Sequence, residues 1–570
     1  MKILGISCFY HDSAAAIIED GNIIAAAEEE RFSRIKHDSG FPTHAIKFCL
    51  EKAGIKGSDL NWAVFYEKPF LKFERITLSS LAIVPYGREM FVNGYRVWLK
   101  DKLWIKSIIS ENIGIDSSKI LFTQHHISHA AVAYYTSSFN SAAILTCDGV
   151  GEWTTTSWGR GKGNKIYLEQ EIKFPHSLGL FYSAFTQFLG FQINEGEFKV
   201  MGLAPYGKPR FTEKVRKLIK QSSDGSFHLD LSYFNFHLSD KQSFSQKFID
   251  LFGVKPLDPK KSDEVIQVYA DIAASAQKVL DEKLLIIARN VREKTGEENL
   301  CYAGGVALNG VTNWKIFKEA GFKNIFVHPA AGDSGGALGA ALYVYHQVLG
   351  NKKANPFTSP YLGQENTSKD TEIFLKLNNI HAAKLSDQDL VKKVAELLLK
   401  KKVVGWVRGR FEWGPRALGA RSILADPRDK KMKDLVNAKI KFREAFRPFA
   451  PVCLYEDGDK YFEVGKDGKD QQPLQYMIAV VPVRAQWQSK LGAITHVDGT
   501  ARPQFIKREV NPMYYDLIKA FGKKAGINVL LNTSFNLKGQ PIVNTCEEAY
   551  DTFMKSGIDA LVLGNYLIVK

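Results

Sequence analysis

Apolar positions in the first thirty residues come in short runs broken at definite points. The runs "KILGIS", "AAAII" and "NIIAAAEE" are separated by the polar stretch "FYHDS" and by Asp20-Gly21. That pattern predicts strand, tight turn, strand, hairpin turn, strand. The segment that begins at Ser141, "SAAILTCDGVGEWTTTSWGRGKGNKIYLEQE", repeats the plan with an Asp148-Gly149 turn, a Thr-rich strand and a Gly-rich turn. The chain therefore carries an internal duplication at the level of supersecondary structure. Stretches with helical periodicity, such as "PTHAIKFCLEKAG" and "ADIAASAQKVLDEKLLIIARNVREK", alternate with the strands and set the class as α/β.

Two related halves that each open on a β-hairpin sheet with an acidic first turn resemble the actin-like ATPase architecture, where a nucleotide lies between the halves. Two later segments suit that plan. "NLCYAGGVALNG" (299–310) reads as strand, Gly-Gly turn and helix start, and "HPAAGDSGGALGAAL" (328–342) as an acidic Gly-rich turn opening a small-residue helix. Glycines there admit close approach of backbone N–H groups to a phosphate or nucleoside, and a helix N-terminus favours an anion. A chain of 570 residues exceeds what one core usually supports. The polar Pro-, Asn- and Thr-bearing stretch 351–376 is the expected linker between domains 1–350 and 377–570. The second of these starts with a helix and strand in "LSDQDLVKKVAELLLKKKVVGWVRGR" and closes on the strands of "DALVLGNYLIV".

Composition narrows the function classes. The six cysteines are scattered without a C-x-x-C pair and sit in apolar strings, as buried reduced thiols do. No apolar run reaches about 18 residues and the N-terminus lacks a signal-peptide pattern, so the expectation is a cytoplasmic protein with no membrane partner. The net charge of +15 is spread over solvated helix faces with no nucleic-acid-binding signature. It argues against a nucleic-acid partner and serves small phosphorylated substrates equally well.

Two groups of residues carry candidate chemistry. In "HHISHAAVAYYTS" a helix would place His125 and His129 on one face, with His126 turned about 100° away. Asp148 and Asp333, in turns that follow strands, supply carboxylates. Two imidazoles with carboxylate suit Fe(II), Mn or Zn without choosing among them, and helix-capping histidines with turn-forming aspartates are the competing reading. The stretch 409–452, with Arg408 just before it, holds Arg410, Arg416, Arg421, Lys441, Arg443 and Arg447 among glycines, prolines and aromatics. Arginine forks bind phosphate or carboxylate oxygens in pairs, which fits a nucleoside triphosphate or an acyl phosphate; a plain surface charge run is the alternative. "HVDGTARPQ" (496–504) and "LLNTSFNLKGQPI" (530–542) add polar groups on strand ends, with Asn532, Ser534 and Asn536 on one face.

The motifs "GISCFYHDSAAAI", "EEERFSRIKHD", "HHISHA", "CDGVGEW", "EGEFKVMGLAPYG", "GGVALN", "GDSGGALGAAL", "GRFEWGPRALGARSILADPR", "REAFRPFAP" and "NTSFN", in that order, resemble the O-carbamoyltransferases of the nodulation and antibiotic-tailoring type. The resemblance implies a Kae1-like domain of the actin-like ATPase fold followed by a YrdC-like α/β domain. It implies that the second makes carbamoyl adenylate from carbamoyl phosphate and ATP, with Mg accompanying ATP. The first then passes the carbamoyl group to a hydroxyl of a small-molecule acceptor such as a sugar, an antibiotic or another natural product. By motif, His125, His129, Asp148 and Asp333 would hold an iron ion, Fe(II) or another divalent metal, and Gly304, Gly305 and Asn309 would seat the adenosine. His11 would take the hydroxyl proton and Lys36 would offset charge on the carbamoyl oxygen. Arg416, Lys441, Arg447, Arg502 and Ser534 would clamp the phosphates. The rivals are a plain cleft ATPase or sugar kinase, transfer to RNA, and a non-catalytic relic; the first leaves the basic second domain unexplained, and a relic has no physical reason to keep both residue sets.

Overall fold

The opening apolar runs form β1 (Lys2–Ser7), β2 (Ala14–Glu19) and β3 (Asn22–Glu28), joined in one sheet by β4 (Trp62–Phe65) and β5 (Ile120–Phe122). The computed structural model describes residues 1–84, 88–100, 102–239, 241–261, 265–444 and 446–570. It divides the chain into two units, Met1–Glu29 with His37–Phe357, and Glu30–Lys36 with Thr358–Lys570. In the first sheet the order is β3-β2-β1-β4-β5, with β1 antiparallel to β2 and parallel to β4. The repeat supplies β6 (Ser141–Cys147), β7 (Thr154–Lys162) and β8 (Lys165–Lys173); a small hairpin, β9 (Ile219–Gln221) and β10 (Phe227–Leu229), comes before β11 (Asn299–Ala303) and β12 (Asn324–Val327). Their sheet order, β12-β11-β6-β7-β8, is the first sheet's plan again: two antiparallel hairpin steps on one side of the leading strand and two parallel steps on the other. The duplication legible in the sequence is thus a duplication of topology, as the actin-like ATPase expectation requires.

What joins the halves of this unit is close backbone approach. The helix Asp333–Tyr343 packs on β1 and on the helix His125–Thr136. A Cβ on Gly339 would sit 1.9 Å from the Ser128 carbonyl oxygen, and one on Gly5 would sit 1.8 Å from that of Ala337. The small-residue run "GDSGGALGAAL", read from sequence as a nucleotide approach, is therefore also a packing surface on which helix and strand backbones touch.

The second unit is a mixed α/β layer. Its strands are β13 (Ala383–Lys384), β14 (Val404–Val407), β15 (Arg421–Ala425), β16 (Ala450–Leu454), the short pair β17 (Val481–Pro482) and β18 (Thr500–Ala501), β19 (Gln504–Ile506), β20 (Val529–Ser534), β21 (Ala560–Leu563) and β22 (Tyr566–Val569). Eight of them make one sheet in the order β13-β22-β21-β14-β15-β20-β16-β19. The amphipathic helices Asp387–Leu399 and Pro512–Ala525 pack on each other. Residues 30–36 belong to this unit although their sequence neighbours do not. The Arg31 guanidinium is buried, donates to the Gly414 carbonyl at 2.9 Å and lies over the Phe411 ring; Arg34 donates to the carbonyls of Ile542 and Pro541 and pairs with Glu548. Among the described residues no helix is long and apolar enough to cross a membrane.

Gly339→Val tests the helix contact. The added side chain meets backbone, which cannot rotate away, so the expected loss is at the upper end of overpacking costs, about 3 kcal/mol, seen as a lower urea midpoint. An unchanged midpoint would show that the two helices can separate freely.

Candidate functional site

"HHISH" opens a helix, and the helix gives the spacing its meaning. His125 and His129 lie one turn apart with their Nε2 atoms 3.0 Å from each other. Asp148, in the turn after β6, brings Oδ2 to 2.9 Å from His125 Nε2 and 3.5 Å from His129 Nε2. Asp333, first residue of its helix, brings Oδ1 to 3.6 and 3.4 Å of the same two atoms. Ligand atoms bound at about 2.0–2.2 Å to one ion lie about 3.0–3.6 Å from one another, so the four donors stand where a shared divalent metal needs them. Asp333 Oδ2 is buried without a hydrogen bond, as fits a carboxylate whose charge a bound cation would offset. His126 faces β6 instead, bonded through Nδ1 to the Thr146 hydroxyl at 2.7 Å.

The electrostatics follow from burial and neighbours. Burial opposes charge on His129, but hydrogen bonds from Asp148 and Asp333 push it up to about 10. Burial would raise Asp148, yet His125 and His129 hold it well below the usual carboxylate range. For His126 burial, then the two neighbouring imidazoles, depress the pKa and keep the ring neutral. His11 stands 3.8 Å from Asp333 Oδ2 through Nε2 and 2.9 Å from Asp12 Oδ2 through Nδ1. Burial works against its charge, but Asp333 and then Asp12 lift it to about 9.

Three neighbours were not singled out in the sequence. Asp12 bridges His11 and His37, its other oxygen 2.7 Å from His37 Nδ1. Glu152 accepts from the backbone N–H of His125 with both oxygens, holding the exposed N–H end of the histidine helix with a negative charge. All three lie inside quoted motifs ("HDS", "KHD", "CDGVGEW"), which was the available signal. The "GGVALN" turn touches the same place: Gly305 N donates to Asp148 Oδ1 at 2.8 Å. Gly304 has φ +97, and a Cβ there would meet the Cys147 carbonyl oxygen at 2.2 Å. Asn309 is committed locally, capping the following helix at Thr312 N and donating to Gln277 Oε1.

The basic residues of the second unit sort into two kinds. Arg408, Arg410 and Arg421 are spent on the fold, donating to the carbonyls of Gly564, Gly363 and Leu362, and Gly409, Ala420 and Asn544 respectively. Arg416, Lys441, Arg443, Arg447 and Arg502 instead face one another. Burial and then cationic neighbours lower Arg416 to about 10 and push Arg443 and Arg502 well below the usual guanidinium range. Lys441 is likewise depressed by burial, Arg443, Arg447 and Lys36, and is held by the carbonyls of Ser534 and Asn536 and by their side-chain oxygens at 2.5–3.2 Å. Glu444, 3.3 Å from Arg447, is the one carboxylate within salt-bridge reach of this group among the described residues. The Nε atoms of Arg416 and Arg502 have no hydrogen-bond partner. So the structure gathers Arg416, Lys441, Arg447, Arg502 and Ser534 in one place, adds Arg443 and Asn536, and brings Lys36 to this group.

The chain matches family models described as carbamoyltransferase N-terminus over residues 2–342 and carbamoyltransferase C-terminus over residues 395–570. It is 45% identical to the uncharacterized protein sll1178 of Synechocystis sp., covering 100% of this chain and 96% of that protein. The nodulation protein NolNO of Sinorhizobium fredii is 37% identical, over 99% of this chain and 79% of its own. Among solved structures, T. kodakarensis HypF aligns with 63% of this chain and 49% of its own at 15% identity and a TM-score of 0.31.

Two measurements check the sites. Metal analysis after dialysis against Fe(II), Zn or Mn is expected to find one divalent ion per chain in the wild type and in His126→Ala, and none in His129→Ala; equal content in both variants would dissolve the assigned cluster. Pyrophosphate at about a hundred times its Kd is expected to stabilise the wild type by about 2.7 kcal/mol, with the effect lost in Arg416→Met. Stabilisation that survives the substitution would place anion binding elsewhere.

Proposed function

The chain belongs to the carbamoyltransferase family, and from that premise we propose that it is an ATP-dependent O-carbamoyltransferase working through carbamoyl adenylate. The observation that carries the reading is the group of half-buried arginines Arg416, Arg443, Arg447 and Arg502 around the buried Lys441, with Glu444 the one salt-bridging carboxylate among the described residues. Each uncompensated buried ion costs several kcal/mol, so the arrangement calls for an anionic ligand rich in oxygens. ATP and carbamoyl phosphate together supply one. In the balanced reaction, water and carbamoyl phosphate give carbamate and phosphate. A carbamate oxygen then attacks the α-phosphorus of Mg-bound ATP and pyrophosphate departs. Lys441, fixed by Ser534 and Asn536, and the arginines hold the phosphates in line. Lys36, expected from its motif beside the acceptor, offsets charge on the carbamoyl oxygen, and its electrostatic effect on Lys441 supports a part in adenylate formation instead.

Transfer belongs to the 1–350 domain, and adenylate formation to 377–570 with Lys36. Gly304, Gly305 and Asn309 shape the seat of the adenosine, and His125, His129, Asp148 and Asp333 hold the metal, for which we favour Fe(II). When bound, that cation stabilises charge on the departing AMP and polarises the carbonyl. His11 is placed to serve as general base: Nδ1–H donates to Asp12, and a cation held at Asp333 would offset the carboxylate charge that lifts the ring to about 9, leaving Nε2 to accept the acceptor's hydroxyl proton. The acceptor is a small hydroxylated molecule in a cytoplasmic reaction, and nucleic acid has no place in it. The hydroxyl oxygen bonds to the carbamoyl carbon as AMP leaves.

Pyrophosphate release from ATP and carbamoyl phosphate without acceptor is the direct test. Release is expected to need both substrates, to fall at least about a hundredfold in Arg447→Ala, as for loss of about 2.7 kcal/mol of transition-state stabilisation, and to persist in His11→Ala. Release that ignores carbamoyl phosphate would reduce the protein to an ATPase and end the proposal.

A further inference from the structure

The first unit holds one buried cation that neither its own fold nor the proposed transfer step uses. Arg75 lies on the helix Pro69–Leu81 and is 8% exposed. Its guanidinium stacks over the Phe174 ring at 5.1 Å, its Nε is buried without a partner, and its side chain makes no hydrogen bond among the described residues. The two carboxylates that act on it electrostatically are Glu67 and Glu152, and both are engaged elsewhere. Glu67 gives one oxygen to Lys72 at 2.7 Å and the other to Lys102 at 2.6 Å. Glu152 accepts from the backbone N–H groups of Lys68 and His125. Of the three cations Lys72, Lys102 and Arg75, only Arg75 has neither a hydrogen bond nor a carboxylate within salt-bridge reach among the described residues.

The position of this charge gives it a use. Lys72 and Arg75 are three residues apart, hence neighbours on one helix face, and Lys72 Nζ lies 5.1 Å from the centre of the Tyr10 ring. Tyr10 is 39% exposed and its ring is 4.4 Å from that of His11. A shared carboxylate, Glu152, ties the start of this helix to the start of the histidine helix. The guanidinium is thus a neighbour of Tyr10, whose ring adjoins that of His11.

We propose that Arg75 is a specificity residue that pairs with an anionic oxygen group, a carboxylate or phosphate, carried by the acceptor molecule. The inference rests on the carbamoyl-transfer reading. Guanidinium donors form a planar fork that matches either anion in a bidentate way, and a buried one without partners is completed by such a ligand. Lys72 and Lys102 cannot serve equally, because each is already hydrogen-bonded to an oxygen of Glu67. The aromatic wall of Tyr10 and Phe174 suits the apolar face of a ring that bears the anionic group.

The test uses the full-length protein with saturating pyrophosphate, so that the cations of the second unit are occupied. Binding of methyl glucuronide and of its neutral counterpart, methyl glucoside, is compared by ligand-observed NMR in the wild type, Arg75→Lys and Arg75→Met. The wild type is expected to prefer the anionic sugar by roughly tenfold, Arg75→Lys to keep part of the preference, and Arg75→Met to lose it while melting no lower than the wild type. Absence of preference in the wild type, or its survival in Arg75→Met, overturns the proposal. A lowered melting temperature in Arg75→Met does so too, since it assigns the residue to the fold. Acceptor-free pyrophosphate release, measured on a pyrophosphate-free portion of the same wild-type preparation, shows separately whether the reaction itself has been misread.

Discussion

A missing side chain at Gly339 is the constraint on which the first unit's chemistry depends. Because that position has no Cβ, the helix Asp333–Tyr343 can rest directly on the Ser128 carbonyl of the histidine helix. The same helix meets β1 at Gly5, again backbone to backbone. These two contacts bring Asp333 within 3.6 Å of both imidazoles although it lies some two hundred residues downstream. A methyl group between the helices would open the donor spacing by more than a metal site tolerates, since ligand distances are set to within about 0.2 Å. The chemistry thus starts as a packing problem, and its answer is written in glycine and alanine.

The two units handle buried charge in opposite ways. In the first, two carboxylates face two imidazoles: Asp148 is held ionised, His129 is pushed up to about 10, and unlike charges approach balance. In the second, cations are set against cations, and burial together with mutual repulsion lowers Arg416, Lys441, Arg443 and Arg502. Arg443 is held by Asn437, Pro448 and the Phe449 ring and Arg447 by Glu444, while the Nε atoms of Arg416 and Arg502 have no hydrogen-bond partner. Such a grouping is expensive for folding, because cations lowered by burial and by one another gain little from their surroundings. The same logic, at the scale of a single residue, distinguishes Arg75 from Lys72 and Lys102.

Periodicity made the strands and the duplication legible, because alternation and turn residues act locally and both sheets repeat one order. The histidine pair was legible for the same reason: four residues make one helical turn. What could not be read was the division of labour among arginines. Arg416 and Arg421 stand five residues apart in one motif, yet Arg421 is consumed by four carbonyls and Arg416 is left with an unpaired Nε. Only the three-dimensional path of the backbone decides which guanidinium finds carbonyls. The glycines of "GDSGGALGAAL" were read for ligand approach when their first duty is helix contact, and sequence alone does not separate the two uses. Asp12, His37 and Glu152 act on other residues of the site rather than forming a recognisable spacing of their own, so their motifs were visible but their roles were not.

Residues 9–37 show a further reason why local pattern runs out. Phe9, Asp12, Arg34 and His37 all adopt positive φ without being glycine. Each such residue costs on the order of 1–3 kcal/mol and persists only where its surroundings overdetermine it. The surroundings are visible. Asp12 is clasped by His11 and His37, and Arg34 is held by the carbonyls of Pro541 and Ile542 and by Glu548. The backbone in this stretch is shaped by long-range partners against its own preference. That is why residues 30–36 leave the unit of their sequence neighbours and deliver Lys36 to the cations around Lys441. A segment whose conformation is strained, whose ends serve one unit and whose middle serves the other, has been selected for what its side chains reach. Its side chains are divided accordingly: His11 stands beside Asp333 in the first unit, and Lys36 acts on Lys441 in the second.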